Sequence, residues 1–180
     1  MSDRPILFNG PMVRAIINGR KTMTRRMQGL DAVNEEPGLW KLAHYDAPAA
    51  SAFFAPANPR SLLGPIVATC PFGVPGDRLW GKETWWDFTR PMTGRLLREG
   101  ADTWPEHVYD ADLDDTDRDF WREHGWKRRP SIHMSKWAAR IWLEIKAVRV
   151  ERLQDISRHD AIAEGCPPDL DAGGGAGQSL

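Results

Sequence analysis

Cysteine is scarce in this chain. Cys70 and Cys166 are the only two in 180 residues, and no Cys-x-x-Cys occurs. A disulfide framework and a zinc ribbon are therefore both excluded. No His, Cys and Asp residues stand at metal-ligand spacing, so no metal is expected. Neither a phosphate-binding glycine loop nor a dinucleotide glycine motif is present, and no cofactor is expected. No apolar run reaches membrane-spanning length and no apolar leader opens the sequence. The expectation is a cytoplasmic protein without a membrane partner. No internal repeat occurs. Net charge is also nearly absent, at -1, which argues against a wholly electrostatic nucleic-acid binder.

What is present is more specific. A 41% hydrophobic and 27% charged composition fits a soluble globular domain with a real core. The near-zero charge hides two opposed fields. Residues 1–26 carry Arg4, Arg14, Arg20, Lys21, Arg25 and Arg26 against Asp3 alone. Residues 110–119 carry six aspartates against Arg118. Separated fields allow a positive cleft on a neutral protein. Nine tryptophans are many for this length. Most are expected in the core, with one or two available to stack on bases.

The stretch Asn18-Gly19-Arg20-Lys21-Thr22-Met23-Thr24-Arg25-Arg26 concentrates the chemistry. Before it, Pro5–Asn9 reads as a strand. A helix then starts at an Asn9 or Gly10 cap, with Pro11 in its first turn and Met12, Val13, Ile16 and Ile17 as its apolar stripe. Gly19 ends that helix through positive φ, and residues 21–26 are expected to run extended. The turn then presents an ammonium, hydroxyls and guanidinium forks, which suit an anionic or nucleotide ligand. The plain alternative is a solvated basic turn.

Residues 78–85 read as a strand after the turn Pro75-Gly76-Asp77. Gly81 within it marks a bulge or a close backbone approach. Residues 141–153 read as one long strand whose apolar phase slips at Ala147–Val148, predicting a bend. A last helix spans Ser157 to Glu164, with Ser157 as cap and Gly165 as stop. The domain is expected over 1–166, with insertions at 29–65 and 87–130. A disordered, glycine-rich tail is expected over 167–180.

Several residues carry candidate chemistry. Lys21, if desolvated, would favour its neutral form and could accept a proton from Thr24. Glu164 is expected at a helix C-terminus, a setting whose dipole disfavours a carboxylate and suits an acid/base role. Glu83 is either an orienting carboxylate or a partner of Arg25, Arg26 or Arg78. Ser131 and His133 sit in the loop Pro130–Met134, either on a ligand or bracing the loop. Arg26 is an anion contact, and Trp80 or Trp85 could stack on a base.

The ordered set Gly19-x-Lys21-x-x-x-x-Arg26, Pro75-Gly76-Asp77-x-Leu79 and Ala161-x-Ala163-Glu164-Gly165 resembles ASCH domains, of the PUA-like superfamily. The blocks Ile6–Met12, Leu79-Trp80-x-x-Glu83-x-Trp85 and Pro130–Met134 resemble a phage-associated branch. The resemblance implies an α+β fold: a small PUA-like β-barrel with two main helices and two long insertions. The family's closing strand has no counterpart after Glu164. Either the chain is truncated or divergent there, or the barrel is open at that edge. The resemblance also implies binding of a nucleoside, nucleotide or RNA. Its Gly-x-Lys-Thr-x-Thr-x-Arg segment is similar to an amidohydrolase subgroup acting on N4-acetylcytidine. By position, that subgroup's catalytic lysine, threonine and glutamate fall on Lys21, Thr24 and Glu164. Two alternatives stand beside amide hydrolysis: a non-catalytic RNA-binding module, and a ribonuclease using His133 and Lys21. The sequence leaves open whether the protein is an enzyme, and its oligomeric state.

Overall fold

The computed structural model describes residues 1–88 and 107–167. The tail expected over 167–180 lies outside them from residue 168 onward. The described residues form three separate three-stranded sheets and four α-helices.

The first sheet has the order β1-β5-β9, from Asp3–Leu7, Arg78–Lys82 and Trp142–Glu144. Strands β1 and β5 are parallel, with Pro5 opposite Trp80 and Leu7 opposite Lys82. Strand β9 runs antiparallel to β5, with Trp80 opposite Trp142. Helix α1, Gly10–Ile17, starts where expected: the Asn9 side chain accepts from the Met12 N–H at 2.9 Å, and Pro11 sits in the first turn. Its Val13 packs with Ile6, Phe8, Leu79 and Ile141 in the first core. Gly19 adopts φ +69° and turns the chain back. Gly81 is a close approach rather than a bulge: a Cβ there would lie 3.0 Å from Ile141 and 3.3 Å from Phe8.

The second sheet, in the region 29–69, is a meander of β2 (Trp40–Asp46), β3 (Ser51–Pro56) and β4 (Ile66–Thr69). The short helix α2, Asp31–Glu35, precedes it. Trp40, Ala52, Phe54 and Ala68 form a second core, against which Leu30, Val33 and Val150 pack. The third sheet has β6 (Trp85–Phe88) between β7 (His107–Tyr109) and β8 (Trp126–Arg129), all antiparallel. Helix α3, Asp115–Glu123, begins at a reciprocal cap between Asp114 and Asp117.

The PUA-like barrel implied by the ASCH resemblance is not formed, and that description does not hold. The sheets stay separate because the strands that would join them are broken. Strand β9 stops at Glu144 instead of running to 153. Beyond it Ile145 still packs on the first core, whereas Val150 packs on the second. The phase slip at Ala147–Val148 is thus where the chain crosses between cores without a ladder. The expected strand over 78–85 is likewise divided, with Glu83 and Thr84 between β5 and β6. There are four helices rather than two main ones. The last, α4 (Arg158–Ala163), is capped by the Ser157 hydroxyl on the Asp160 N–H, and Gly165 follows at φ +96°.

Candidate functional site

The extended strand expected over 21–26 forms no ladder. Its N–H groups are used elsewhere: those of Thr22 and Met23 both donate to the Ala163 carbonyl. The segment therefore caps the C-terminus of α4. Lys21 completes the cap. Its ammonium donates to the Met23 carbonyl at 2.7 Å and the Glu164 carbonyl at 2.9 Å. The residue is only 6% exposed. Burial pulls the Lys21 pKa below the usual lysine value; Arg26 adds to this and the Glu164 charge opposes it.

Lys21 and Glu164 are thus brought together, through the backbone carbonyl of Glu164. The Glu164 carboxylate instead takes Arg25, which also meets Glu151 at 3.0 Å and Asp160 at 3.3 Å. Thr24 is half-buried, and its hydroxyl forms no hydrogen bond with Lys21 or Glu164.

Glu83 is an ion-pair partner, but not of Arg25, Arg26 or Arg78. It is 1% exposed and receives a fork from Arg140, at 2.9 and 3.0 Å. Arg140 reaches on to Asp112 and lies 3.9 Å over the Tyr109 ring. Burial pushes the Glu83 carboxyl up, opposed by Arg140. The group ties the first sheet to the third at their junction, which is a structural task. Ser131 and His133 brace their loop through backbone groups, His133 N–H to Pro130 and Ser131 carbonyl to Met134. The His133 side chain is exposed.

The second place of interest is a shallow cleft of about 200 Å³. It is lined by Pro5, Leu7, Arg26, Lys82, Phe72 and Ile132, with Ile6 and Gln28 completing it. Register explains its floor: Leu7 and Lys82 are paired neighbours on one face of the first sheet. Arg26 donates to the Leu7 carbonyl and Lys82 to the Ile132 carbonyl. Neither cation meets a carboxylate among the described residues, and the buried Arg26 Nε has no hydrogen-bond partner there. Trp80 lies 5.5 Å beneath the Lys82 ammonium and is 9% exposed, so its ring supports the lysine rather than standing open.

Sequence reading missed Lys82, Phe72 and Gln28. Strand alternation over 78–82 puts Lys82 on the face of Trp80, and that is the signal that could have found it. The opposed fields also resolve unequally. Four of the six aspartates in the acidic run are ion-paired within the third-sheet region: Asp110 takes Arg118 and Arg128, Asp115 also takes Arg118, Asp112 takes Arg140, and Asp119 takes Arg122. Of the six basic residues in 1–26, only Arg25 forms an ion pair among the described residues.

Among the described residues no three His, Cys, Asp or Glu gather as a metal-binding group. No helix there is long and apolar enough to cross a membrane. No family model, curated protein or solved structure matches the chain.

Proposed function

We propose that the protein recognises a nucleotide or RNA, holding a phosphate in the cleft between Arg26 and Lys82. One observation carries this reading: two cations share one concave site, and their hydrogen bonds among the described residues go only to carbonyls. A guanidinium has five N–H donors and an ammonium three, so both keep donors for an anion. Set beside Phe72 and Ile132 in a concave site, a guanidinium and an ammonium can hold one phosphate from two sides. Titrating nucleotides and a short labelled RNA at several salt concentrations tests it. Affinity is expected to fall as salt rises, because neutralised phosphates release counterions. Arg26→Ala and Lys82→Ala should each weaken binding and flatten that dependence while leaving the melting temperature unchanged. Binding indifferent to both substitutions overturns the reading.

A second reading, amide hydrolysis on a modified cytidine such as N4-acetylcytidine, is favoured by one observation, the burial of Lys21. Its two carbonyl partners use two N–H groups, and a neutral amine still has two. Proton loss therefore breaks neither bond, and the lone pair is freed to act as a base. In this reading Thr24 attacks the acetyl carbon and passes its proton to Lys21. The cytidine amine leaves with a proton relayed by Glu164, and water then releases acetate from Thr24. Arg26 faces the developing oxyanion. Acetate release that is lost in Lys21→Ala and Thr24→Ala supports hydrolysis. Strand cleavage of RNA dependent on His133 supports a ribonuclease instead. Binding with neither activity leaves the recognition module.

A further inference from the structure

The cleft opens onto the face of the first sheet that points away from α1, and that face has a pattern of its own. Strand alternation puts Lys82, Trp80 and Arg78 on one side of β5, and register adds Pro5, Leu7 and Trp142 beside them. The opposite side holds Ile6, Leu79 and Gly81 against α1 and Ile141. Trp142 is 42% exposed. Its indole N–H donates to the Ala139 carbonyl at 3.2 Å, which fixes the ring's orientation. Arg78 lies 5.2 Å and Lys136 5.5 Å over that ring, so a base that stacks there takes the place of one of these cations. Asp3 is the carboxylate that both of them meet. Glu144, registered opposite Arg78, is held by Lys146 at 2.7 Å. Cations thus outnumber carboxylates along the strip, and an oriented aromatic face stands within it.

We propose that the cleft continues into a strip for single-stranded RNA, in which Trp142 stacks a base adjacent to the nucleotide held at Arg26 and Lys82. Arg78 and Lys136, which lie beyond Trp142 from Lys82, receive the phosphate that follows the stacked base. This rests on the recognition reading above and extends it from a mononucleotide to a strand. Geometry sets the scale. Lys82 and Trp142 are separated by two residues along β5 and one strand across, roughly 8 Å from standard strand spacings. That is about the step between neighbouring nucleotides, and a duplex, whose bases are already stacked on both faces, offers none to Trp142. Gln28 in the cleft wall offers an amide to a ribose hydroxyl.

The test measures, side by side, binding of a nucleoside monophosphate, a trinucleotide RNA and its DNA counterpart. Wild type is compared with Trp142→Ala, Trp142→Phe and the double variant Arg78→Ala/Lys136→Ala. Wild type should bind the trinucleotide RNA roughly tenfold or more tighter than the monophosphate, the gain from one stacked base and one phosphate. Trp142→Ala should remove most of that gain and leave monophosphate affinity unchanged, whereas Trp142→Phe should keep most of it. The double variant should lower the salt dependence for the trinucleotide alone. Thermal melts of each variant separate lost contacts from lost folding, and the monophosphate serves as an internal check on the cleft. A trinucleotide gain insensitive to Trp142 overturns the strip, as does the absence of any gain. Equal preference for the DNA strand overturns the assignment to RNA. Failure of the monophosphate to bind, beside a Trp142-dependent trinucleotide, overturns the cleft reading and leaves the strip standing.

Discussion

Arg25 and Arg26 are adjacent in sequence and stand in opposite surroundings. At the α4 corner, Arg25 meets Glu151, Asp160 and Glu164, and its neighbour Arg149 adds further pairs to Glu151 and Asp160. At the cleft, Arg26 reaches a carbonyl, lies 5.8 Å over the Phe8 ring and meets no carboxylate among the described residues. The first arrangement closes on itself, because each charge is answered within the fold. The second leaves positive charge facing a concave surface. Clustered basic residues in one motif therefore divide between holding a helix and facing an open cleft, and the deciding factor is which acidic residues the fold carries to each.

The largest expected effect belongs to the internally paired group at the sheet junction. Arg140→Ala leaves the Glu83 carboxylate buried without its fork. Breaking a buried pair from one side costs about 3–5 kcal/mol. Denaturant unfolding should show that loss, with nucleotide affinity of the folded protein unchanged. An Arg140→Ala protein as stable as wild type would show that Glu83 protonates and needs no partner.

A smaller effect is expected at the α4 corner. Arg25→Ala frees the Glu164 carboxylate among Glu151 and Asp160 and lowers the melting temperature. Arg149 retains part of the network, so the fall should be less than for Arg140→Ala. Calorimetry of the two variants in one buffer checks the order.

Smaller again is the pH dependence set by Lys21. Its pKa lies below the ordinary lysine value of 10.5 in the folded state, chiefly through burial. Between that lowered value and 10.5, the unfolded chain binds a proton that the folded chain has released. Stability contributed by this group therefore rises with pH through that window. Lys21→Met removes the rise. Urea midpoints of both proteins across the alkaline range measure it, and parallel curves contradict the assignment.

Local signals in the sequence were good guides where the physics is local. The Asn9 cap, the Gly19 reversal and the Ser157 cap all depend on groups within four residues of each other. Gly81 signalled a close approach because a missing side chain leaves a gap that something must fill. The barrel was misread because motif order does not fix strand pairing. Whether 145–153 joins a ladder depends on partners in two different cores, and the slip at Ala147–Val148 was compatible with either a bend or a break. Glu83 illustrates the same limit at the site: an ion pair was legible, but Arg140 is 57 positions away and no pattern connects them. The resemblance implied that the Lys21 and Glu164 side chains converge, whereas the contact between these residues runs through a backbone carbonyl and reflects helix capping. Lys82 entered the cleft through β1–β5 register, a non-local pairing.

The contrast between the two arginines is tested most directly by binding of one short RNA to wild type, Arg25→Ala and Arg26→Ala across a salt series. Arg26→Ala should lower affinity and reduce the slope of log affinity against log salt by about one, the loss of a single phosphate contact. Arg25→Ala should match wild type in both, with its deficit visible only in thermal melts. Equal losses in the two variants, or an Arg26→Ala protein that binds as wild type does, would contradict the division of this motif between structure and recognition.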